Sequence, residues 1–373
     1  MDILVVGPTA HRMAHPARML PLHMPARLQQ RLFRLMEPRN HQMRSQNTQR
    51  REQGQKKIFQ PTRQEKHNLD RRKPENARKQ VPRTSISVVS LFSGIGAYEK
   101  ALENLGIEFR LEAYCELDPK TSRCYSLLHG TEESKNLRDV KEIDPEKIGE
   151  IDLLVYSPPC QDISTAGRHA GIDESTRTGL MWNVVGLIER KRPKWIVMEN
   201  VKNLQGKYKP VLDDYVRTVE ELGYKCSCRV LNGKDHGTPQ NRQRLFMVGT
   251  RADLGQKFEM PSKRPLERLL KDFLKDVDVK TIDKEVSYTI RLGGRKSKVG
   301  NKHNWDGYIV NGKEYYLTAK DCLLLMGFDE KDYEKLRDAG ISEGKIAKVA
   351  GNSIVVSVLE DIFRNLLETH AKS

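Results

Sequence analysis

The strongest constraint on the fold of this 373-residue chain is a recurring order of β-branched apolar run, tight turn and helix that begins at Ser87. Ser87-Val88-Val89-Ser90-Leu91-Phe92 has the composition of a strand, Ser93-Gly94-Ile95-Gly96 that of a glycine turn, and Tyr98 to Leu105 reads as a helix ended by Gly106. Strands alternating with helices predict an α/β sheet with helical crossovers. Glycines between a strand and a helix let the backbone approach a ligand at the helix N-terminus. A second apolar stretch ends at Cys115-Glu116, so Glu116 follows Gly96 by one helix and one strand. An acid at that separation can accept hydrogen bonds from ribose hydroxyls, which suits an adenosine-bearing cofactor. A nicotinamide dinucleotide suits it less, because Glu99 fills the third glycine position of that fingerprint.

Further along, Ile151-Asp152-Leu153-Leu154-Val155-Tyr156 reads as a strand running into Ser157-Pro158-Pro159-Cys160-Gln161. Two prolines stiffen this turn and place Cys160 at the carboxyl edge of the sheet, where open α/β folds bind ligands. Trp195-Ile196-Val197-Met198 is the next strand and ends in Glu199-Asn200-Val201, which puts a carboxylate at the same edge as the thiol. Then Gly237-Thr238-Pro239-Gln240-Asn241-Arg242-Gln243-Arg244-Leu245-Phe246 places two arginines, spaced by one residue, at the start of another strand. His236, beside them, reads as a satisfied loop histidine. Cys226 and Cys228 share one face of a strand and read as packing.

Charge divides the chain. Residues 1–85 hold 19 Lys/Arg against 6 Asp/Glu, a net of +13, which leaves 46 against 44, or +2, for residues 86–373. This N-terminal segment is polar, basic and poor in the apolar side chains that offset chain entropy, so disorder is expected there. One stretch between Pro25 and Pro38 is an exception: Leu28, Leu32, Leu35 and Met36 recur at helical spacing with Arg27, Arg31 and Arg34 around the wheel. No apolar run approaches the roughly 20 residues of a membrane span. The six cysteines form no CxxC pair, which argues for a reducing, cytoplasmic setting and against structural zinc.

Together and in this order, these motifs resemble those of the DNA (cytosine-5) methyltransferases of the bacterial and phage type, over about residues 88–365. The resemblance implies the Rossmann-like sheet of a class I S-adenosylmethionine-dependent methyltransferase with a small DNA-recognition domain. The expected division is a catalytic domain over 86–250, a recognition domain over 251–345, and a segment over 346–373 returning to the catalytic domain. It implies S-adenosylmethionine as cofactor, held by Phe92, Ser93, Gly94, Ile95, Gly96, Glu116 for the ribose, Asp139 for the adenine, Pro158, Leu180, and Asn352, Ser353 and Ile354 near the end. The family's nucleophile falls on Cys160 and its acid on Glu199; Arg244 is expected to hold the base O2 and Arg242 the neighbouring backbone.

The implied partner is double-stranded DNA, the implied state a monomer without metal or membrane, and a cognate restriction endonuclease is a candidate companion. The basic run Arg291-Leu292-Gly293-Gly294-Arg295-Lys296-Ser297-Lys298, with Trp305 and Tyr308 after it, suits groove reading. Leu317-Thr318-Ala319-Lys320-Asp321-Cys322 resembles the motif that organises the recognition domain. Tyr315-Tyr316 departs from the family's usual basic residues before it. Cytosine-5 methylation of tRNA by the same fold and chemistry is the alternative reading.

Overall fold

The computed structural model describes residues 85–159, 180–255, 258–291, 293 and 296–368. The basic stretch at 25–38, and Cys160 with Gln161, lie outside these residues. Among the described residues, six apolar runs join one sheet: β1 (Ile86–Leu91), β2 (Phe109–Cys115), β3 (Leu153–Tyr156), β4 (Trp195–Val201), β5 (Tyr224–Asn232) and β6 (Gln243–Arg251), in the order β2-β1-β3-β4-β6-β5. The expected α/β class is therefore what forms. Helices α1 (Ala97–Asn104), α2 (Pro119–His129), α3 (Met181–Lys191) and α4 (Lys209–Glu221) supply the crossovers. All four residues of β3 are buried, as expected of a parallel strand covered on both faces. Edge strand β5 is half-exposed along most of its length.

Two features of this topology place the site. The chain steps from β1 outward to β2 and then returns to the other side of β1 with β3, so the carboxyl ends of β1 and β3 flank a topological switch point, where open sheets leave a crevice. Strand β6 lies antiparallel between β4 and β5, with Val201 of β4 opposite Arg244 of β6. A strand running the opposite way begins where its neighbour ends. The arginine segment thereby arrives at the same edge as the turns after β1, β3 and β4. Strand β4 ends in Glu199-Asn200-Val201 as expected, because β6 pairs with it as far as Val201, so the carboxylate belongs to the strand.

After β6 the chain has little regular structure until the hairpin β7 (Gly307–Val310) and β8 (Lys313–Tyr316), followed by α5 (Ala319–Leu324), α6 (Glu330–Asp338), α7 (Glu343–Asn352) and α8 (Val356–Glu368). Helix α8 packs along α1, with the Tyr98 and Phe363 rings 6.4 Å apart and Asn104 donating to Glu360 at 2.7 Å. Lys100 ties α1 to α6 through Asp329 and Asp332, at 2.9 and 2.7 Å. Trp305 and Tyr308 are both fully buried, so neither faces a groove. Their polar atoms hold the neighbouring backbone instead: Trp305 Nε1 donates to the Gly293 carbonyl at 2.6 Å, and the Tyr308 hydroxyl accepts from the Tyr288 N–H at 3.0 Å. Rings of this size bury about 150–250 Å² each, which outweighs any surface role unless a ligand replaces the burial. Tyr315 donates to the buried Asp321 carboxylate at 2.6 Å. That contact is internal packing at the position where basic residues were expected.

Candidate active site

The turn after β1 adopts a left-handed backbone at three positions, with φ of 53° at Phe92, 57° at Gly94 and 77° at Gly96. At Gly96 the requirement is double, because a Cβ there would also run into the His129 imidazole. His129 in turn bonds to the Ile95 carbonyl at 3.0 Å and to Glu103 at 2.8 Å, bracing the turn from below. Ser93 is buried; its hydroxyl donates to the Ser90 carbonyl at 2.9 Å and accepts from the Cys115 N–H at 3.2 Å, locking the ends of β1 and β2 together. Gly94 faces open space, with no atom within 4 Å of where its Cβ would stand.

Glu116 closes the same corner. Its carboxylate accepts from the Gly94 N–H at 3.0 Å and from the Asp118 N–H at 2.9 Å. Burial raises its pKa above the ordinary carboxyl value, and these two N–H groups oppose the rise. Lys345 of α7 reaches Asp118 at 2.6 Å and holds that carboxyl down at about 2, chiefly through the hydrogen bond. Asp139 is brought close by a residue the sequence reading missed, Asn136. The Asn136 side chain accepts from the Glu116 and Arg138 N–H groups and donates to the Glu116 carbonyl, at 2.9 to 3.0 Å. One buried amide thus fixes the segments carrying both candidate cofactor acids. Its signal in the sequence is nil, since an Asn shortly before an Asp reads as an ordinary turn.

At the other end, Glu199 is 8% exposed and pairs with Arg244, Nε to Oε1 at 3.1 Å. Burial pushes its pKa up, with the Arg244 and Arg242 charges opposing. Arg244 also donates to the Gln243 carbonyl at 2.8 Å. Arg242 departs from expectation. Its guanidinium is buried and donates to three main-chain carbonyls, those of Ile290 at 2.9 Å, Gly351 at 3.1 Å and Ser353 at 2.7 Å. A fork committed to its own backbone is a clamp between segments, not a grip on a target. Through it Ser353 and Ile354, both buried, sit beside the arginine strand, while Asn352 is exposed.

Pro158 is buried, and its carbonyl accepts from Asn200 Nδ2 at 3.3 Å, which joins the proline turn to the acid strand. Leu180 is half-buried at the start of α3. His236 is buried with Nδ1 2.9 Å from Asp361, a satisfied loop histidine as read. Cys226 and Cys228 are free, half-buried thiols on β5. No group of three or more His, Cys, Asp or Glu disposed to hold a metal occurs among the described residues, and no helix among them is long and apolar enough to cross a membrane.

The raised pKa of Glu199 makes a prediction about stability. Ionising it costs the folded state more than the unfolded one, so its contribution is fully present below the unfolded value of about 4.3 and is lost as pH rises through the higher folded value. Glu199→Gln cannot ionise. Relative to the parent, its urea midpoint is expected to rise on going from about pH 4 to about pH 8. A difference that stays flat or falls across that range would show that burial does not dominate the carboxyl's environment.

The glycine turn with Glu116 thus stands at one corner and the buried Glu199–Arg244 pair at the other. The family model for C-5 cytosine-specific DNA methylases matches residues 86–316, more than half of the chain. The chain belongs to this family. An orphan methyltransferase of Bacillus phage rho11s is 34% identical over 268 residues, which cover 70% of this chain and 52% of that relative. The chain thus spans about half of that relative's length. A type II methyltransferase of Lactococcus lactis subsp. cremoris is 32% identical over 264 residues, covering 63% of this chain and 72% of the relative.

Among solved structures, Spodoptera frugiperda DNMT2 superposes with a TM-score of 0.58 at 19% identity, covering 76% of this chain and 99% of that one. Entamoeba histolytica EhMeth gives 0.59 at 15%, covering 77% and 99%. At these identities the likeness concerns the fold alone, an α/β arrangement around a central sheet. Glu199 and Arg244, far apart in sequence, meet at one sheet edge because β6 pairs with β4.

Proposed function

We propose that the protein transfers a methyl group from S-adenosylmethionine to C5 of a cytosine swung out of a specific duplex DNA sequence, by way of a covalent bond from Cys160 to C6. The observation that carries this reading is Glu199, a buried carboxyl with raised pKa, held against Arg244 at the carboxyl edge of the sheet. The cofactor corner fits its ligand: the open face at Gly94 admits a group against the backbone, and Glu116 lies beside it to accept ribose hydroxyls, with Asp139 tethered alongside. Phe92 to Gly96, Pro158, Leu180 and residues 352–354 complete the proposed binding set. When bound, S-adenosylmethionine supplies an electrophilic methyl group on a sulfonium sulfur.

The chain's own groups handle the base. Cytosine C5 is a poor nucleophile, so the Cys160 thiolate adds at C6 and turns the ring into an enamine whose C5 can attack. The electron density this places on the ring is met by a proton from Glu199 to N3, a task that needs a carboxyl kept protonated near neutral pH. Arg244 donates to O2 from the same edge. Loss of the C5 proton to a base then lets the C6–S bond break, returning the electron pair to Cys160, and N3 gives its proton back to the Glu199 carboxylate. Swinging the base out of the duplex costs a few kcal/mol, recovered in pocket contacts. The basic segment within 251–345 is the proposed DNA-facing part, since residues 86–373 carry a net charge of only +2 and affinity must come from a locally basic surface.

Transfer of tritiated methyl groups to duplex DNA and to tRNA, followed by bisulfite sequencing of the DNA, tests the reading. Label in duplex DNA at C5 of cytosines within one sequence is expected. Label confined to tRNA would move the activity to the alternative substrate, and no label in either would remove the activity altogether.

A further inference from the structure

Strand β3 pairs with β4 as far as Tyr156 opposite Met198, so the ladder between them stops just short of Glu199. The Tyr98 hydroxyl sits at that end. It donates to the Tyr156 carbonyl at 3.1 Å and lies 3.2 Å from the Ser157 hydroxyl. With its single proton on the carbonyl, it accepts from Ser157. Tyr98 is 2% exposed, and its ring packs against Phe363 of α8. A phenyl ring would satisfy that packing equally, so the hydroxyl is there for the polar groups around it. Tyr98 belongs to α1, directly behind the glycine turn. One side chain thus joins α1 to the start of the Ser157–Pro159 turn, and the Asn200 bond to the Pro158 carbonyl ties that turn to β4, the strand that carries the acid.

We infer that Tyr98 is a positioning residue for the methyl-transfer reaction: through its hydroxyl it holds the turn that leads to Cys160 in register with β4, the strand that carries Glu199, while touching neither base nor cofactor. This rests on the methyl-transfer reading above. The physical cause is preorganisation, because an acid displaced by an ångström from its target can lose on the order of 10²-fold in rate without any loss of binding. Pro158 and Pro159 restrict φ, so a shift at Ser157 is passed along the turn and not absorbed by it.

The test uses the full-length protein with Tyr98→Phe, Ser157→Ala and the double variant, assayed for methyl transfer to duplex DNA. The expected result for Tyr98→Phe is a kcat lowered about 10-fold or more, with KM for DNA and the dissociation constant for S-adenosylmethionine within about twofold of the parent. Ser157→Ala should lower kcat in the same direction, and the double variant should be less impaired than the two losses multiplied, since both act through one network. An unchanged kcat in Tyr98→Phe, a loss carried by KM alone, or fully multiplicative losses would overturn the inference. If Tyr98→Phe melts well below the parent, Ser157→Ala decides by the same kcat and KM criteria. Absence of label with the parent protein instead overturns the methyl-transfer reading, so the two failures are distinct.

Discussion

Cys160→Ala is expected to lower methyl transfer to duplex DNA by about 10⁴-fold or more while leaving S-adenosylmethionine affinity close to that of the parent. The size follows from the chemistry: without a thiolate at C6 the ring never becomes an enamine, and the remaining groups can only bind and polarise an unreactive base. Removing a nucleophile that acts as one unit with its acid typically forfeits most of the rate enhancement, leaving what binding and electrostatics supply. Affinity for the cofactor should survive because Phe92 to Gly96, Glu116 and Asp139 form their own hydrogen-bonded corner, braced by Asn136 and His129. Single-turnover transfer, together with trapping on duplex DNA carrying 5-fluorocytosine, checks the result. The parent should form a stable covalent complex and Cys160→Ala none. Near-normal transfer by the alanine variant would remove the covalent mechanism and leave the fold assignment intact.

Arg242→Ala carries the second large effect, on stability as well as on binding. The buried guanidinium bridges carbonyls of Ile290, Gly351 and Ser353, so truncation strands three buried acceptors at once. Hydrogen bonds to a charged donor are worth about 1.5–3 kcal/mol each, and they do not add fully, so a loss of about 3 kcal/mol or more is expected. Arg242→Lys should recover only part of it, because an ammonium is a single point and not a planar fork. Ser353 lies within the segment proposed to complete the cofactor pocket, and the dissociation constant for S-adenosylmethionine should weaken in step with the urea midpoint. A stable Arg242→Ala protein with parental cofactor affinity would refute the clamp and restore a ligand-facing role for this arginine.

How much of the site could be read in advance varies with the range of the interaction that makes it. Gly94, Gly96 and Glu116 were legible because a glycine turn after an apolar run, with an acid one helix and one strand later, has a local cause in backbone sterics. Glu199 was legible as the acid in which the strand from Trp195 ends, although the strand that pairs with it there was not, since β6 lies far along the chain. Trp305 and Tyr308 stand beside a basic run and read as surface aromatics; their burial comes from core partners such as Leu270 and Ile290, outside any local window. Tyr98 and Asn136 gave no signal, because a hydroxyl or an amide becomes significant only when unpaired backbone is brought to it.

By itself, the sequence determined the alternation of strands and helices, the residue types assembled for the chemistry and their order along the chain. The tertiary structure alone decided that β6 runs antiparallel between β4 and β5. That choice brings Arg244 to Glu199 and turns Arg242 inward, because a strand entering the sheet in the opposite sense begins at the edge where the parallel strands finish. Strand direction depends on which partners meet across the whole sheet, and no run of neighbouring residues encodes it.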